Sequence, residues 1–280
     1  DPRGLEVSGA SGAAHDAYER ALAAFLGWRS GAERPLAAAT EEAPGFVMAH
    51  VLSAWRVLCS RDRAATRLAQ PAAGLAAGLP AHPRERLHLA AIGAVLADDY
   101  DGARGKLGEL LRQYPRDVLA LQVAHTLDHL AGDVKMLLQR VSAVLPAWSP
   151  DVPSYHAVRA MQAFGLVEGG QYARAEETAL EVLSHDALDP RAHHTMAHLF
   201  EMTGRAEAGL RWMSQHAAAW SSGTSVAVHC WWHLALFQLA RGRFDSLFHL
   251  YDQRLRHGGS THVSDLIDAS SLLWRTELAG

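Results

Sequence analysis

The chain has 280 residues, 49% of them hydrophobic and 20% charged, which is enough apolar material to bury a core and too little charge for a disordered chain. A formal net charge of −4 with no Lys/Arg run lacks the electrostatic footprint of a protein that lives on phosphate backbones, so nucleic acid is excluded as an expected partner. No apolar stretch approaches the roughly 20 residues needed to cross a bilayer, and the opening DPRGLEVSGASG has no apolar signal region, so a cytoplasmic chain without a membrane span is expected.

In chain order, apolar residues recur at i, i+3, i+4 and i+7, strand-like alternation is absent, and breaks rich in Gly, Pro, Asp and Ser come every 12 to 20 residues. The pattern predicts helices over 12–28, 45–59, 62–78, 83–97, 100–113, 117–131, 133–145, 154–168, 172–184, 190–203, 205–219, 225–241, 243–256 and 263–278. The turns inside the regular pairs align as DDYDGA from 98, GDVKML from 132, GQYARA from 170, GRAEAG from 204 and GRFDSL from 242, spaced by 34, 38, 34 and 38 residues. Thirty-four residues of helix-turn-helix is the tetratricopeptide period, with four extra residues in alternate units, at PAWSPDVP and AAWSSGTS. Seven residues before four of the turns, where paired helices need a small side chain, stand Ala91, Ala163, Ala197 and Ala235; His125 is the exception. The expected fold is all-α: a right-handed α-α superhelix, a tetratricopeptide-like solenoid of about seven helix pairs, with the first helix of each pair lining a concave groove. One domain over 1–280 is expected, with an irregular N-terminal cap at about 12–78, regular repeats at about 83–256 and an unpaired last helix at about 263–278. A start at Asp1 without methionine and an unpaired end suggest a piece of a longer protein.

Seventeen histidines are the unusual feature of the composition. Counted backward from each turn, groove-facing positions lie at −13, −10, −9, −6 and −3, and they hold His88, His129, His194, His198, Glu201, His229 and His233. A turn near Ser60 adds His50. His125 is either a groove member one helical turn from His129 or a core histidine bonded to a backbone carbonyl. His194, His198 and Glu201 at i, i+4 and i+7 share one helix face and can chelate one ion as a two-histidine, one-carboxylate set. His229 and His233 repeat the i, i+4 spacing on the first helix of the next unit, so two chelating pairs face each other across helices roughly 10 Å apart. Zinc, iron and copper all suit imidazole, with haem as a weaker option. Trp231 and Trp232 are either packing residues or an aromatic wall for a flat ligand, and Arg191 is either solvated or a carboxylate holder. Thr195 stands where a zincin HExxH has its glutamate, and no P-loop, GxSxG or CxxC motif occurs. Cys59 and Cys230 are too few for a disulfide scaffold or a thiolate cluster, which fits a reducing compartment.

The segments PGFVMAH (44–50), RERLHLAA (84–91), DVLALQVAH (117–125), LPAWSPDVPSYH (145–156), HTMAHLFEM (194–202), VHCWWHLAL (228–236) and LYD (250–252) resemble the tetratricopeptide repeat protein 38 family of bacteria and animals, over nearly the whole chain. That resemblance implies an α-α superhelix with motif histidines at His50, His88, His125, His194, His198, His229 and His233, and with Glu201 and Asp252 in motif positions. It brings no established reaction.

The leading expectation is therefore a groove that binds a small polar or aromatic molecule and acts on it, with the eight acid-base residues His88, His125, His129, His194, His198, Glu201, His229 and His233 as catalytic candidates. His50, Trp231, Trp232, Arg191 and Asp252 are ligand-contact candidates, and His194, His198, His229 and His233 are the metal candidates. The alternatives are a scaffold that takes a peptide in the groove, and haem or metal binding without turnover.

Overall fold

The computed structural model describes residues 1–60, 62 and 64–280, and no β-strand occurs among them. Its helices in chain order are α1 (Gly12–Leu26), α2 (Glu33–Glu42), α3 (Val47–Leu58), α4 (Ala65–Ala77), α5 (Pro83–Leu96), α6 (Tyr100–Gln113), α7 (Val118–Leu130), α8 (Val134–Val144), α9 (Tyr155–Glu168), α10 (Tyr172–His185), α11 (Pro190–Met202), α12 (Ala206–Gln215), α13 (Ala217–Trp220), α14 (Ala227–Ala240), α15 (Phe244–Leu250) and α16 (Val263–Leu278). The fold class is all-α, of the helical-repeat kind. No helix among the described residues is long and apolar enough to cross a membrane.

The five aligned turns share one backbone device. Gly132, Gly170, Gly204 and Gly242 take φ of 68°, 73°, 68° and 65°, and Asp98 holds the equivalent place in the first turn at φ 62°. This left-handed conformation suits glycine and is tolerated by aspartate. In each turn its own N–H donates three residues back and the next N–H donates five residues back into the last helical turn, as in Gly204 to Glu201 O and Arg205 to Phe200 O. Equal turns put equivalent helix positions at equal height in successive pairs. The small residues seven places before the turn, Ala91, Ala163, Ala197 and Ala235, are fully enclosed.

Two compact units divide the chain at Gly165. Unit one, Asp1–Gly165, packs α1 on α2, α3 on α4, α5 on α6 and α7 on α8 around Phe46, Trp55, Leu119 and Leu121. Helix α2 was not expected from the sequence: Gly31 and Pro35 flank and enter ERPLAAATEE, whose short apolar face, Leu36 and Ala39, is buried. Proline within a first helical turn removes only an N–H that has no intrahelical partner, so Pro35 is compatible with a helix start. The expected start of the fourth helix touches position 63, outside the described residues, and the helix is observed from Ala65. Unit two, Leu166–Gly280, packs α11 on α10 and α12, and α14 on α12, α15 and α16. The segment expected as one helix over 205–219 is α12 followed by the single turn α13, and 243–256 ends in a π-turn at Tyr251–Leu255. Each four-residue insertion carries a tryptophan that is buried in its own unit, Trp148 in the first and Trp220 in the second.

Unit one also contains a buried polar network. Arg84 Nη1 donates to Asp117 Oδ2 at 2.6 Å, His88 Nε2 lies 3.0 Å from the same oxygen, and Trp55 Nε1 donates to His88 Nδ1 at 3.2 Å. With Nδ1 accepting, His88 Nε2 carries the proton that Asp117 receives. Asp117 also caps α7 by accepting from Ala120 N at 2.8 Å. Burial alone would raise the Asp117 pKa, but His88 and Arg84 beside it hold the carboxyl far below the ordinary carboxylate range.

This packing sets two expectations. Ala91→Leu in unit one and Ala197→Leu in unit two should each overpack a helix contact and lower stability by about 1–3 kcal/mol; unchanged urea midpoints in both would remove the small-residue register. Because the folded pKa of Asp117 is depressed, its contribution is complete above the ordinary aspartate value and is lost as pH falls toward the lower folded value. Stability of the parent should therefore decline below about pH 4, and Asp117→Asn should be less stable at neutral pH with a flatter acid limb.

Candidate metal centre

Helix α11 is set by Asp189, whose Oδ1 accepts from Arg191 N and Ala192 N at 2.8 and 2.9 Å, and by Pro190 in the first turn. The i, i+4 step then aims His194 and His198 the same way, while His193, about 100° around, faces the opposite side: its Nε2 lies 3.0 Å from Ala187 O and its Nδ1 accepts from Trp212 Nε1 at 3.1 Å. Helix α14 presents His229 and His233 toward them.

All six ring pairs among the four histidines are close. Centroid separations are 4.4 Å for His194–His198, 4.6 Å for His198–His233, 4.7 Å for His229–His233, 5.0 Å for His194–His229, 5.4 Å for His194–His233 and 6.2 Å for His198–His229. One nitrogen from each ring lies within 4.8 Å of the other three. A tetrahedral ion with bonds of about 2.1 Å needs ligand edges of about 3.4 Å, so the four nitrogens would have to draw in from their present spread to hold one. His194 Nε2 and His198 Nε2 are already 3.0 Å apart. Two ring nitrogens at that distance need a proton or a cation with them, since two lone pairs repel.

Three of the four rings are braced from behind by a carboxylate. His198 Nδ1 is 2.8 Å from Glu168 Oε1, His229 Nδ1 is 3.0 Å from Asp268 Oδ2, and His233 Nδ1 is 3.0 Å from Glu201 Oε2. An ionised carboxylate only accepts, so each Nδ1 carries a proton and each Nε2 presents a lone pair to the cluster. Carboxylate–histidine–metal chains have this arrangement, in which the outer bond fixes the tautomer and raises ligand basicity. The His233 side chain is 1% exposed, and its Nε2 is buried with no hydrogen-bond partner among the described residues. Burial, together with His198, His229 and Arg275 nearby, pushes the His233 pKa well below the usual histidine value, so the ring is neutral and its lone pair available near pH 7. Trp232 lies nearly parallel to the His229 ring at 5.2 Å and 14°, and forms part of the site wall.

The other sequence candidates fall elsewhere. Glu201 does not complete a two-histidine, one-carboxylate set with His194 and His198; it holds His233 and lies 3.6 Å from Arg275 Nη1. The reason is reach: one further turn along α11 brings position 201 beside α14. His88 is enclosed in the Asp117 network of unit one, with both ring nitrogens engaged. His125 is buried with Nε2 3.2 Å from Met161 O, the core alternative, and His50 is buried with Nε2 2.9 Å from Pro44 O. His129 is exposed against the edge of Phe164. Trp231 packs edge-on to Trp220 at 4.7 Å beneath the Arg254 guanidinium, and Asp252 is exposed in the π-turn. Arg191 is buried rather than solvated, and burial pushes its pKa down to about 10 despite Asp189. Glu168 and Asp268 were not anticipated; they lie 30 and 39 residues from their histidines, beyond any single-helix spacing.

No family model matches the chain. Its fold is similar to that of a thermophilic tetratricopeptide-repeat protein of Thermus thermophilus, with TM-score 0.53 at 15% identity over 68% of this chain and 99% of that one. A MamA RS-1 double mutant aligns with TM-score 0.43 at 14% identity over 70% and 97% of the two chains, and the tetratricopeptide domain of P58(IPK) with 0.32 at 13% over 95% and 79%. The first similarity shows a tetratricopeptide-like fold.

If the braces act as described, Glu168→Gln and Asp268→Asn should each weaken metal affinity about 10- to 100-fold while the helical circular dichroism is unchanged. A competition titration against a chromophoric chelator measures this, and parental affinity in both variants would remove the bracing role.

Proposed function

We propose that this protein holds one transition-metal ion per chain in a shell of four imidazoles, His194, His198, His229 and His233. The observation that carries the reading is the buried His233 Nε2, without a hydrogen-bond partner among the described residues, in a cluster with three other rings of which two are carboxylate-braced like its own. Catalytic zinc sites keep a position for water beside three protein ligands, whereas structural sites are closed. Here a fourth imidazole takes the water's place, which supports holding the metal over turnover on a small ligand. The four ring centroids form a flattened tetrahedron, suited to zinc and to copper(II), and the order of intrinsic affinities favours copper where both compete. The motifs HTMAHLFEM and VHCWWHLAL supply all four histidines, which supports a relationship to the tetratricopeptide repeat protein 38 family, and a chain with only two cysteines suits a reducing, cytoplasmic setting.

The test uses protein purified without a metal-affinity tag, loaded with zinc or copper, dialysed and measured by elemental analysis. One ion per chain is expected, falling below a tenth in His198→Ala and in His233→Ala and unchanged in His129→Ala, whose ring is exposed in the other unit. Equal metal content in all four proteins would overturn the assignment. The tetratricopeptide-like fold supports a second reading, a peptide-binding scaffold; a His198→Ala/His233→Ala protein that loses its metal yet selects the same sequences as the parent from a peptide array would favour it.

A further inference from the structure

Beside the histidine cluster, unit two contains a cleft of about 620 Å³ between the C-terminal ends of α11 and α14, the start of α12 and the last helix, α16. That volume lies within the range of small-molecule sites. Its floor is apolar: Phe200, Leu236 and Phe237 line it and are buried. Phe237 can lie there because residue 209 is glycine; a Cβ at that position would meet the ring at 2.5 Å.

The rim carries more positive than negative charge. Arg205, Arg211, Arg241 and Arg275 line the cleft with Glu201 and Glu207, and just outside the lining Glu176 lies 3.2 Å from Arg205, while Glu201 is 3.6 Å from Arg275. Glu207 alone faces three guanidinium groups, at 3.5 Å from Arg211, 3.3 Å from Arg241 and 3.9 Å from Arg243. The Arg205 guanidinium lies 4.9 Å from the centre of the Phe200 ring, so one cation stands over the apolar floor. The rim arginines are about half exposed and can swing toward a ligand without breaking a buried pair. An inorganic anion would leave the floor unused and a hydrocarbon would leave the rim unused.

We propose that this cleft binds a small organic anion, a carboxylate on an aliphatic or aromatic body, with the body on Phe200, Leu236 and Phe237 and the carboxylate among Arg205, Arg241 and Arg275. The charge excess at Glu207 supplies the attraction, and the planar guanidinium fork matches a carboxylate. Binding does not require the metal, so it survives failure of the metal assignment.

Isothermal titration of the metal-free and metal-loaded protein with octanoate, octanamide and inorganic phosphate tests this. Octanoate should bind in both states at least 10-fold more tightly than either octanamide or phosphate, and 0.5 M salt should weaken it, as expected for half-exposed cations when the screening length falls to a few ångströms. Arg205→Ala/Arg241→Ala, at exposed positions, should weaken octanoate at least fivefold with an unchanged melting temperature. Equal affinity for octanoate and octanamide would overturn the proposal in favour of a merely apolar surface, and equal affinity for phosphate in favour of an adventitious ion only. Parental affinity in the double variant would place octanoate elsewhere and overturn it as well.

Discussion

The centre depends on three carboxylate–imidazole contacts. A histidine on a helix has several rotamers, and four of them would have to find the same point together. Glu168 from α9, Glu201 from α11 and Asp268 from α16 each fix one ring by its Nδ1, which leaves Nε2 as that ring's donor atom toward a ligand. Their contribution to folding is small, because Glu201 and His229 are partly exposed and such pairs are screened by solvent. Their main effect is on orientation: they settle the tautomers and pre-organise the rings before any ion arrives.

The repeat makes this possible. Similar left-handed turns end α11 at Gly204 and α14 at Gly242, and the pair at −10 and −6 on one helix is offset from the pair at −13 and −9 on the next by three residues, less than one helical turn, an offset the imidazole side chains span. The same register in unit one gives a different result. His50, His88 and His125 also sit at or near groove positions or their neighbours, but each finds a protein acceptor at once, in Pro44 O, Asp117 and Met161 O. Register places a histidine on a helix face; the acceptors that surround it decide whether its nitrogens are used in packing or left for a ligand.

This explains what the sequence made legible. Helix periodicity and turn spacing are local, and they located the regular helices from 83 to 256 within a few residues. The four clustered histidines were legible because both pairs have helical spacing. The braces from Glu168 and Asp268 were not, because nothing within α11 or α14 refers to residues 30 and 39 positions away. Helix α2 was missed for the opposite reason: its local signals, Gly31 and Pro35, are ambiguous between loop and helix start, and the burial of Leu36 and Ala39 decides the matter.

The composition of the shell also follows from placement. Cys230 is next to His229, yet a step of about 100° around α14 turns it into the core, where it is fully buried and burial raises its thiol pKa far above the ordinary value. It therefore stays a protonated, apolar core residue, and no thiolate enters the shell. Four nitrogen donors with carboxylates behind them favour a divalent ion of borderline character over the soft monovalent copper that sulfur would select. An all-nitrogen shell also resists oxidation of its ligands, since imidazole lacks the thiolate's path to sulfenic acid or disulfide. A metal held by these four imidazoles would therefore be retained or lost according to ligand protonation and competing chelators, and not through oxidation of a thiolate ligand.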